Sequence, residues 1–224
     1  MMKAAILQLS VSDDPVINLP TTLTFVRDAV DMGAEFVLTP EVTNCLSTSR
    51  AQQNKVLCHE ENDPSLIGLC QIASELKIHL LIGSLALKTH DPDERFANRS
   101  FLIDPDGEIL ARYDKIHMFD VAISETETWF ESEGYRPGSK AVLAKTNFAS
   151  IGMAICYDMR FPRLADALVN AGAQILTFPA AFSGEPGSVK SDRTQECCPV
   201  EGSPAQRGTG APSSPRDTPR AVGC

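Results

Sequence analysis

The sequence lacks the features that define several specialised classes of protein. Its seven cysteines form no CxxC pair, which excludes zinc-ribbon and thioredoxin-type motifs. Their odd number and irregular spacing do not suit a disulfide framework, so we expect reduced thiols. The formal net charge is −9 and no Lys/Arg cluster occurs, which argues against a nucleic-acid partner.

Long apolar runs are also missing. The N-terminal run from Met1 to Leu9 is far too short for the core of a signal peptide or for a membrane span. A content of 43% hydrophobic and 22% charged residues is that of an ordinary globular protein. We therefore expect a cytoplasmic protein that does not bind membranes.

The segment from Ser183 to Cys224 lacks Leu, Ile, Met and aromatic residues altogether. Its only large apolar side chains are Val189, Val200 and Val222. Such a segment buries too little apolar surface to offset the entropy lost on ordering it. A natural flexible tail and a tail foreign to the fold are both open interpretations. The composition predicts a domain over 1–182 and a disordered tail over 183–224.

The sequence before residue 183 alternates strand and helix patterns. Apolar runs and turn residues predict strands over 3–9, 35–39, 78–87, 98–103, 108–113, 141–145, 150–155 and 174–178. Helical spacing of apolar residues predicts helices over 18–32, 65–77 and 163–171. The turn Asp104-Pro105-Asp106-Gly107 joins two of these strands in a hairpin. Strands separated by helices favour a layered α/β domain.

Cys156 is the most informative single residue. It ends the apolar run 151–155 and is followed by polar residues and by Pro162, where a helical pattern begins. A thiol at that place faces the positive end of the next helix, which lowers its pKa from about 8.5. The alternative is an inert core cysteine, because free cysteines are often buried.

Three further charged residues follow predicted strands or aromatic residues. Glu41 comes just after a buried strand, Lys115 ends another, and Glu131 lies in an aromatic-flanked loop. Open α/β sheets place ligand sites beyond the carboxyl ends of their strands, so these groups and Cys156 could converge. Together they suit acyl transfer: a carboxylate as general base, a thiol nucleophile and an ammonium beside the oxyanion. Taken singly, each is more often a surface residue.

Four segments carry a resemblance to a known family: Pro40-Glu41, Tyr113 to Asp120, Phe130 to Ser132 and Gly152 to Pro162. They closely resemble the nitrilase superfamily of carbon–nitrogen hydrolases, and most of all its deaminated-glutathione amidase and omega-amidase branch. The resemblance implies an α-β-β-α sandwich, assembly into a homodimer, and no cofactor or metal. It also implies a hydrolase that releases ammonia from a small linear amide bearing a carboxylate, through a cysteine thioester.

The resemblance also implies roles for individual residues. Cys156 is the expected nucleophile, Glu41 its general base, and Lys115 the group that stabilises the oxyanion together with the Tyr157 backbone N–H. Glu131 matches a second glutamate that orders the site.

Two other residues near Cys156 carry an alternative interpretation. Arg160 matches a position that holds the substrate carboxylate, and a salt bridge with Asp158 or Asp166 is the alternative. His117 suggests a Cys–His dyad, but its position beside the lysine in the family favours a structural histidine.

After Phe182 the sequence departs from the family pattern, which continues with a further helix and more strands. We therefore expect a sandwich that lacks its last strands and helix. An inactive, non-enzymatic family member is thus an alternative to the amidase, and nitrile hydrolysis by the same nucleophile is another. Isolated cysteines give little support to a third class, a thiol redox or metal-binding protein.

Overall fold

The computed structural model describes residues 2–122 and 128–181, together with two short strands at 195–196 and 221–223. Twelve strands are assigned in these residues: β1 Ala4–Ile6, β2 Phe36–Leu38, β3 His79–Leu87, β4 Ala97–Ile103, β5 Ile109–Asp114, β6 Asp120–Ala122, β7 Thr128–Phe130, β8 Val142–Lys145, β9 Ser150–Met153, β10 Ile175–Phe178, β11 Gln195–Glu196 and β12 Ala221–Gly223. Five α-helices accompany them: α1 Pro15–Asp31, α2 Arg50–Val56, α3 Pro64–Leu76, α4 Glu131–Gly134 and α5 Pro162–Asn170. Two 3₁₀ helices cover Glu60–Asn62 and Cys156–Arg160.

The strands form two main sheets and one small hairpin. The first sheet has the order β11-β1-β2-β3-β4-β5, in which β1, β2 and β3 are parallel and β4 and β5 complete an antiparallel meander. The second sheet has the order β12-β10-β9-β8, with β9 parallel to β10 and β8 antiparallel to β9. Strands β6 and β7 pair with each other. The carboxyl ends of β2, β3 and β5 therefore lie at one edge of the first sheet, beside the start of β4.

Three apolar layers hold the sheets and helices together. The first lies between α1, α3 and the first sheet, and includes Val26, Leu69 and Leu80. The second lies between the two sheets, where Leu81 and Tyr113 pack with residues such as Met153. The third packs α5 on the second sheet. This arrangement confirms the predicted α-β-β-α sandwich.

Local sequence explains where the long helices begin. The Asp14 carboxylate caps α1 by accepting a hydrogen bond from the Val16 N–H, and Pro15 occupies the first turn. Asp63 caps α3 in the same way, with Pro64 after it. The apolar pattern predicted the start of α1 three residues late, because its first turn is exposed.

Helix α2 was missed because its seven residues show no apolar spacing. Within the described residues, no helix is long and apolar enough to cross a membrane.

The predicted tail over 183–224 lies largely outside the described residues. Two short strands in it are described: β11 pairs antiparallel with β1, and β12 pairs parallel with β10. The boundary at residue 182 and the disorder of the tail stay predictions.

Candidate active site

Four of the predicted site residues meet at one edge of the sandwich. Glu41 lies three residues beyond β2, Lys115 directly follows β5, and Cys156 lies three residues beyond β9. Glu131 is the first residue of α4, so the loop position predicted for it is wrong. The turns after these strands bring the four side chains together: the Lys115 ammonium contacts both carboxylates, and the Glu41 and Lys115 charges act on the Cys156 thiol.

Lys115 lies between the two glutamates. Its Nζ is 2.9 Å from Oε1 of Glu41 and 2.8 Å from Oε2 of Glu131, and its side chain is only 2% exposed. Burial alone would lower the pKa of Lys115, but the two carboxylates outweigh it and the net pKa is raised. The lysine is therefore a fixed cation.

The turn that carries Glu41 is tied to the neighbouring strand β3. The Val42 N–H donates to Oγ of Ser84 at 2.7 Å, and the Ser84 N–H donates to the Pro40 carbonyl at 3.2 Å. A Cβ on Gly83 would lie 2.3 Å from the same carbonyl oxygen, so only glycine fits where β3 passes the turn that carries Glu41. Val42 has a φ of +46°, a strained value for a β-branched residue. The strain and the hydrogen bonds together fix the direction of the Glu41 side chain.

Both oxygens of the Glu41 carboxylate accept hydrogen bonds. Oε1 accepts from Lys115 and from Nδ2 of Asn98, both at 2.9 Å, and Oε2 accepts from the Ala181 N–H at 3.0 Å. The charge of this carboxylate raises the pKa of the Cys156 thiol, so the two groups lie close enough to interact. A carboxylate beside the thiol that is fixed by three donors is placed to act as a general base.

Cys156 itself has a φ of +44°, which few non-glycine residues adopt. Its backbone N–H donates to the Pro179 carbonyl at 2.8 Å, which continues the alignment of β9 with β10 past the end of both strands. The sharp turn lifts the side chain out of the strand direction and into the pocket. Strain of this kind, about 1–3 kcal/mol, is typical of nucleophiles presented on a strand-to-helix turn.

The prediction that a helix lowers the pKa of this thiol is wrong. Burial raises the pKa of Cys156 to about 12; the Glu41 charge adds to the rise, and Lys115 only partly opposes it. The thiol is therefore neutral at rest and needs a base to become a nucleophile. Helix α5 begins six residues later, at Pro162.

Asp158 holds the turn that carries the thiol. Its buried carboxylate accepts hydrogen bonds from the Tyr113 hydroxyl at 2.7 Å, the Ile155 N–H at 2.9 Å and the His117 N–H at 3.0 Å. The His117 ring contacts the same carboxylate through Nδ1 at 2.7 Å and stacks on Phe161. The described contacts of the His117 ring are thus with Asp158 and Phe161, as expected for a structural histidine.

The remaining carboxylate, Glu131, is anchored from two sides. Besides Lys115, its Oε2 accepts from the Phe119 N–H at 2.7 Å, and its own N–H donates to the Phe119 carbonyl at 3.3 Å. These bonds fasten the start of α4 to the segment before β6. Glu131 thereby links the lysine to the rim of the pocket.

Asn98 is a site residue that sequence reasoning missed. It is 2% exposed, and its Nδ2 bridges Oε1 of Glu41 at 2.9 Å and Oε1 of Glu131 at 3.3 Å. Its Oδ1 is buried without a partner among the described residues. The signal that could have found it is the hairpin register, which pairs Arg99 with Asp114 and so places Asn98 beside Lys115.

Two residues were predicted to bind substrate, and both lie on the 3₁₀ helix that begins at Cys156. Tyr157 is its second residue, so its N–H belongs to the first turn, whose donors lack partners within the helix. Arg160 is exposed at the last position. The alternative salt bridge of Arg160 with Asp158 or Asp166 is not formed; Asp158 bonds instead to Tyr113, His117 and Ile155.

A sandwich that presents a half-buried thiol beside a Glu–Lys–Glu cluster has the features of a thiol-dependent hydrolase. The chain belongs to the carbon–nitrogen hydrolase family, whose model matches residues 3–207. The resemblance to the nitrilase superfamily is thereby confirmed.

Two curated relatives and one solved structure illustrate the similarity. The chain is 34% identical to a deaminated glutathione amidase of Yersinia enterocolitica over 80% of its length and 62% of the relative's. It is 33% identical to the omega-amidase NIT2 of Homo sapiens over 81% and 64% of the two lengths. The crystal structure of Nit3 of Saccharomyces cerevisiae, a member of branch 10 of the nitrilase superfamily, superposes with a TM-score of 0.68 at 31% identity. It covers 81% of this chain and 65% of that one. The chain thus spans less than two thirds of the length of these relatives.

Proposed function

We propose that the chain hydrolyses the amide of a small linear molecule that carries a carboxylate, with Cys156 as the nucleophile. The observation that carries this proposal is that Glu41 accepts hydrogen bonds from Lys115, Asn98 and the Ala181 N–H, while its charge raises the pKa of the neighbouring Cys156 thiol. One pocket thereby holds a nucleophile, a base and a cation. These are the three groups that acyl transfer requires.

The first half of the reaction forms a thioester. Glu41 takes the thiol proton, and the sulfur of Cys156 attacks the amide carbon. The oxygen of the resulting tetrahedral intermediate is stabilised by the Lys115 ammonium and the Tyr157 backbone N–H. Glu41 then gives its proton to the nitrogen, the carbon–nitrogen bond breaks, and ammonia leaves.

The second half releases the product. Glu41 removes a proton from a water molecule, which attacks the thioester carbon, and the carbon–sulfur bond breaks. The Cys156 sulfur recovers the proton, so the free carboxylic acid is released and the enzyme is unchanged. Lys115 keeps its charge throughout, in accord with its raised pKa.

Two observations support a carboxylate-bearing amide as the substrate. Similar proteins include an omega-amidase and a deaminated glutathione amidase. Arg160 is exposed on the same 3₁₀ helix as Cys156, and a guanidinium binds carboxylates through two parallel hydrogen bonds. We propose that Arg160 holds the substrate carboxylate at the rim of the pocket.

The test is ammonia release from a panel of short linear amides with and without a terminal carboxylate, with matching nitriles assayed beside them. Cys156→Ala is expected to abolish release, whereas Cys70→Ala, which changes a half-buried thiol of α3, keeps it. Mass spectrometry of the acid-quenched chain should show the acyl group on the Cys156 peptide. Ammonia release that persists in Cys156→Ala would overturn the mechanism.

The same assay separates the alternatives. A chain that melts cooperatively but releases no ammonia from any amide is the inactive family member, and one that prefers nitriles is a nitrilase. The polar composition of the segment from Ser183 onward motivates the inactive alternative.

We also propose that the chain is a cytoplasmic homodimer. Support comes from aromatic side chains around the site that are exposed in the single chain, including Trp129 at 41% and Phe130 at 52%. Light scattering after size exclusion measures the mass directly. A monomer at all concentrations would contradict the dimer.

A further inference from the structure

Outside the candidate active site, two imidazoles and a carboxylate converge where two segments of chain run side by side. His59 and Glu61 lie at the 3₁₀ helix before α3, and His90 lies in the loop after β3. The Lys88 N–H donates to the Cys58 carbonyl at 2.8 Å, so the two segments are held together beneath these side chains. One potential ligand atom from each of the three residues lies within 4.8 Å of the other two.

We propose that His59, Glu61 and His90 bind one divalent transition-metal ion of the zinc class. Two imidazole nitrogens and one carboxylate oxygen suit zinc, copper or nickel, whereas magnesium and calcium prefer all-oxygen sites. Nε2 of His90 lies 3.4 Å from Oε1 of Glu61. The two groups therefore lie close enough to reach one ion, whose bonds to imidazole nitrogen and carboxylate oxygen are about 2.1 Å long.

A buried ring nitrogen supports the site independently. Nδ1 of His59 is inaccessible to solvent and has no hydrogen-bond partner among the described residues. Buried polar atoms in native proteins nearly always have a partner, so this imidazole needs one that the described protein groups do not supply. A metal ion bound through Nδ1 would give the ring that partner.

The surroundings leave room for the rest of a coordination sphere. The three residues line a cavity of about 750 Å³, large enough for water molecules to complete a three-ligand site. Three arginines also line this cavity, and three carboxylates face them: Glu60 pairs with Arg99 and Arg112, Asp114 with Arg99 and Arg136, and Asp91 with Arg136. The Lys88 ammonium, which lines the cavity as well, donates to the Asn54 carbonyl.

Binding requires one side-chain movement. The ring centroids of His59 and His90 lie 4.2 Å apart, and the angle between the ring planes is 2°. In this stacked arrangement the nitrogen lone pairs of the two rings lie in parallel planes and do not converge on one ion. The His90 side chain is 77% exposed and that of Glu61 58% exposed, and exposed side chains change rotamer readily. Turning His90 out of the stack directs its nitrogen at the ion that the other two ligands hold.

The test is a titration of the reduced full chain with Co²⁺ alone, followed by displacement with Zn²⁺. Visible ligand-field bands report coordination by nitrogen and oxygen, and near-ultraviolet charge-transfer bands report thiolates, which separates this site from the cysteines. We expect one equivalent bound without a charge-transfer band. His90→Ala and Glu61→Gln should each weaken binding at least tenfold, as loss of a ligand group does.

Glu133→Gln is the matched control, because it neutralises an exposed glutamate away from the cluster. Thermal melts of the three variants in the absence of metal establish that they fold like the original chain. The proposal is overturned if the chain binds no Co²⁺, if its spectrum shows thiolate ligands, or if both site variants bind as tightly as Glu133→Gln.

Discussion

The side-chain amide of Asn98 donates a 2.9 Å hydrogen bond to Oε1 of Glu41, the same oxygen that the Lys115 ammonium contacts at 2.9 Å. The proposed base is thus held by a cation and a neutral donor on one oxygen. Asn98 also reaches Glu131, so a single amide spans both carboxylates. The cluster behaves as one network in which each member fixes the others, and its removal at any point should affect the whole.

Replacing Asn98 with alanine should therefore weaken both stability and turnover. The change removes two hydrogen bonds to buried carboxylates, which costs about 1–3 kcal/mol in the free energy of unfolding. Because Asn98 acts by positioning Glu41, kcat should fall much more than KM rises. Urea unfolding and steady-state ammonia release measure the two effects. A variant with an unchanged kcat and only a raised KM would show that Asn98 binds substrate instead.

Replacing Lys115 with methionine should destabilise the chain and make it sensitive to pH. The change leaves Glu41 and Glu131 buried without their cation, and breaking a buried ion pair in this way costs about 3–5 kcal/mol. The two carboxylates then repel each other, and because acid weakens that repulsion, lowering the pH should restore part of the lost stability. Unfolding curves between neutral and mildly acidic pH measure this.

The original chain supplies the contrast for that variant. The raised pKa of Lys115 adds stability that is fully present below the ordinary lysine pKa of 10.5 and is lost as the pH rises through the higher folded value. Its stability should therefore not increase on mild acidification. A methionine variant with the same pH dependence as the original would contradict the role of Lys115 between the carboxylates.

Replacing Glu41 with glutamine should lower the thiol pKa and abolish the activity as well. Burial and the Glu41 charge raise the pKa of Cys156 to about 12, so its thiolate absorbance should appear only in strong alkali. Without the Glu41 charge, burial still raises the pKa of Cys156 and Lys115 still lowers it, so the pKa should fall below its value in the original chain. Turnover should be abolished, because the base is lost. Ultraviolet titration against Cys156→Ala isolates this thiol. An unchanged thiol pKa in Glu41→Gln would contradict the contact between the two side chains.

The same thiol has a consequence for stability. A folded pKa of about 12 against an ordinary 9.0 means that the folded state holds the proton more tightly. The resulting stability is complete below pH 9 and is lost as the pH rises through 12. Cys156→Ala should lose less stability than the original chain between pH 8 and 11.

Much of the fold was predictable because it follows from apolar spacing. The eight strands predicted before residue 183 all occur as β1–β5 and β8–β10, and the three predicted helices are α1, α3 and α5. The Asp104–Gly107 turn is confirmed by the Gly107 N–H, which donates to the Asp104 carbonyl at 3.0 Å. The short elements α2, α4, β6 and β7 were missed because too few residues in each face the core.

The site was predictable to the extent that strand ends and family motifs place its residues. Asn98 was missed because it lies at the amino end of β4, whereas ligand sites of open α/β sheets are expected beyond the carboxyl ends of strands. The direction of the shift in the Cys156 pKa could not be read from the sequence. The thiol becomes buried, and Glu41 comes close to it, only when the two sheets pack together. The position of the next helix in the sequence predicts neither the burial of the thiol nor its distance from Glu41.

Gly83 provides the most direct test of how the fold positions the proposed base. An alanine Cβ there would lie 2.2 Å from the Thr39 carbonyl oxygen and 2.3 Å from that of Pro40, both of which are backbone atoms that cannot move aside cheaply. Gly83→Ala should therefore displace the turn that carries Glu41. We expect a lower melting temperature and a large loss of kcat.

Gly68→Ala is the matched control for that substitution. Gly68 lies inside α3, and its added Cβ meets only the Leu19 side chain, at 3.3 Å. Alanine is favoured over glycine in a helix interior by about 1 kcal/mol, so this variant should melt at the same or a higher temperature and keep its activity. If Gly83→Ala instead matches Gly68→Ala in melting temperature and in activity, the close packing of β3 against the turn that carries Glu41 does not hold the base in place.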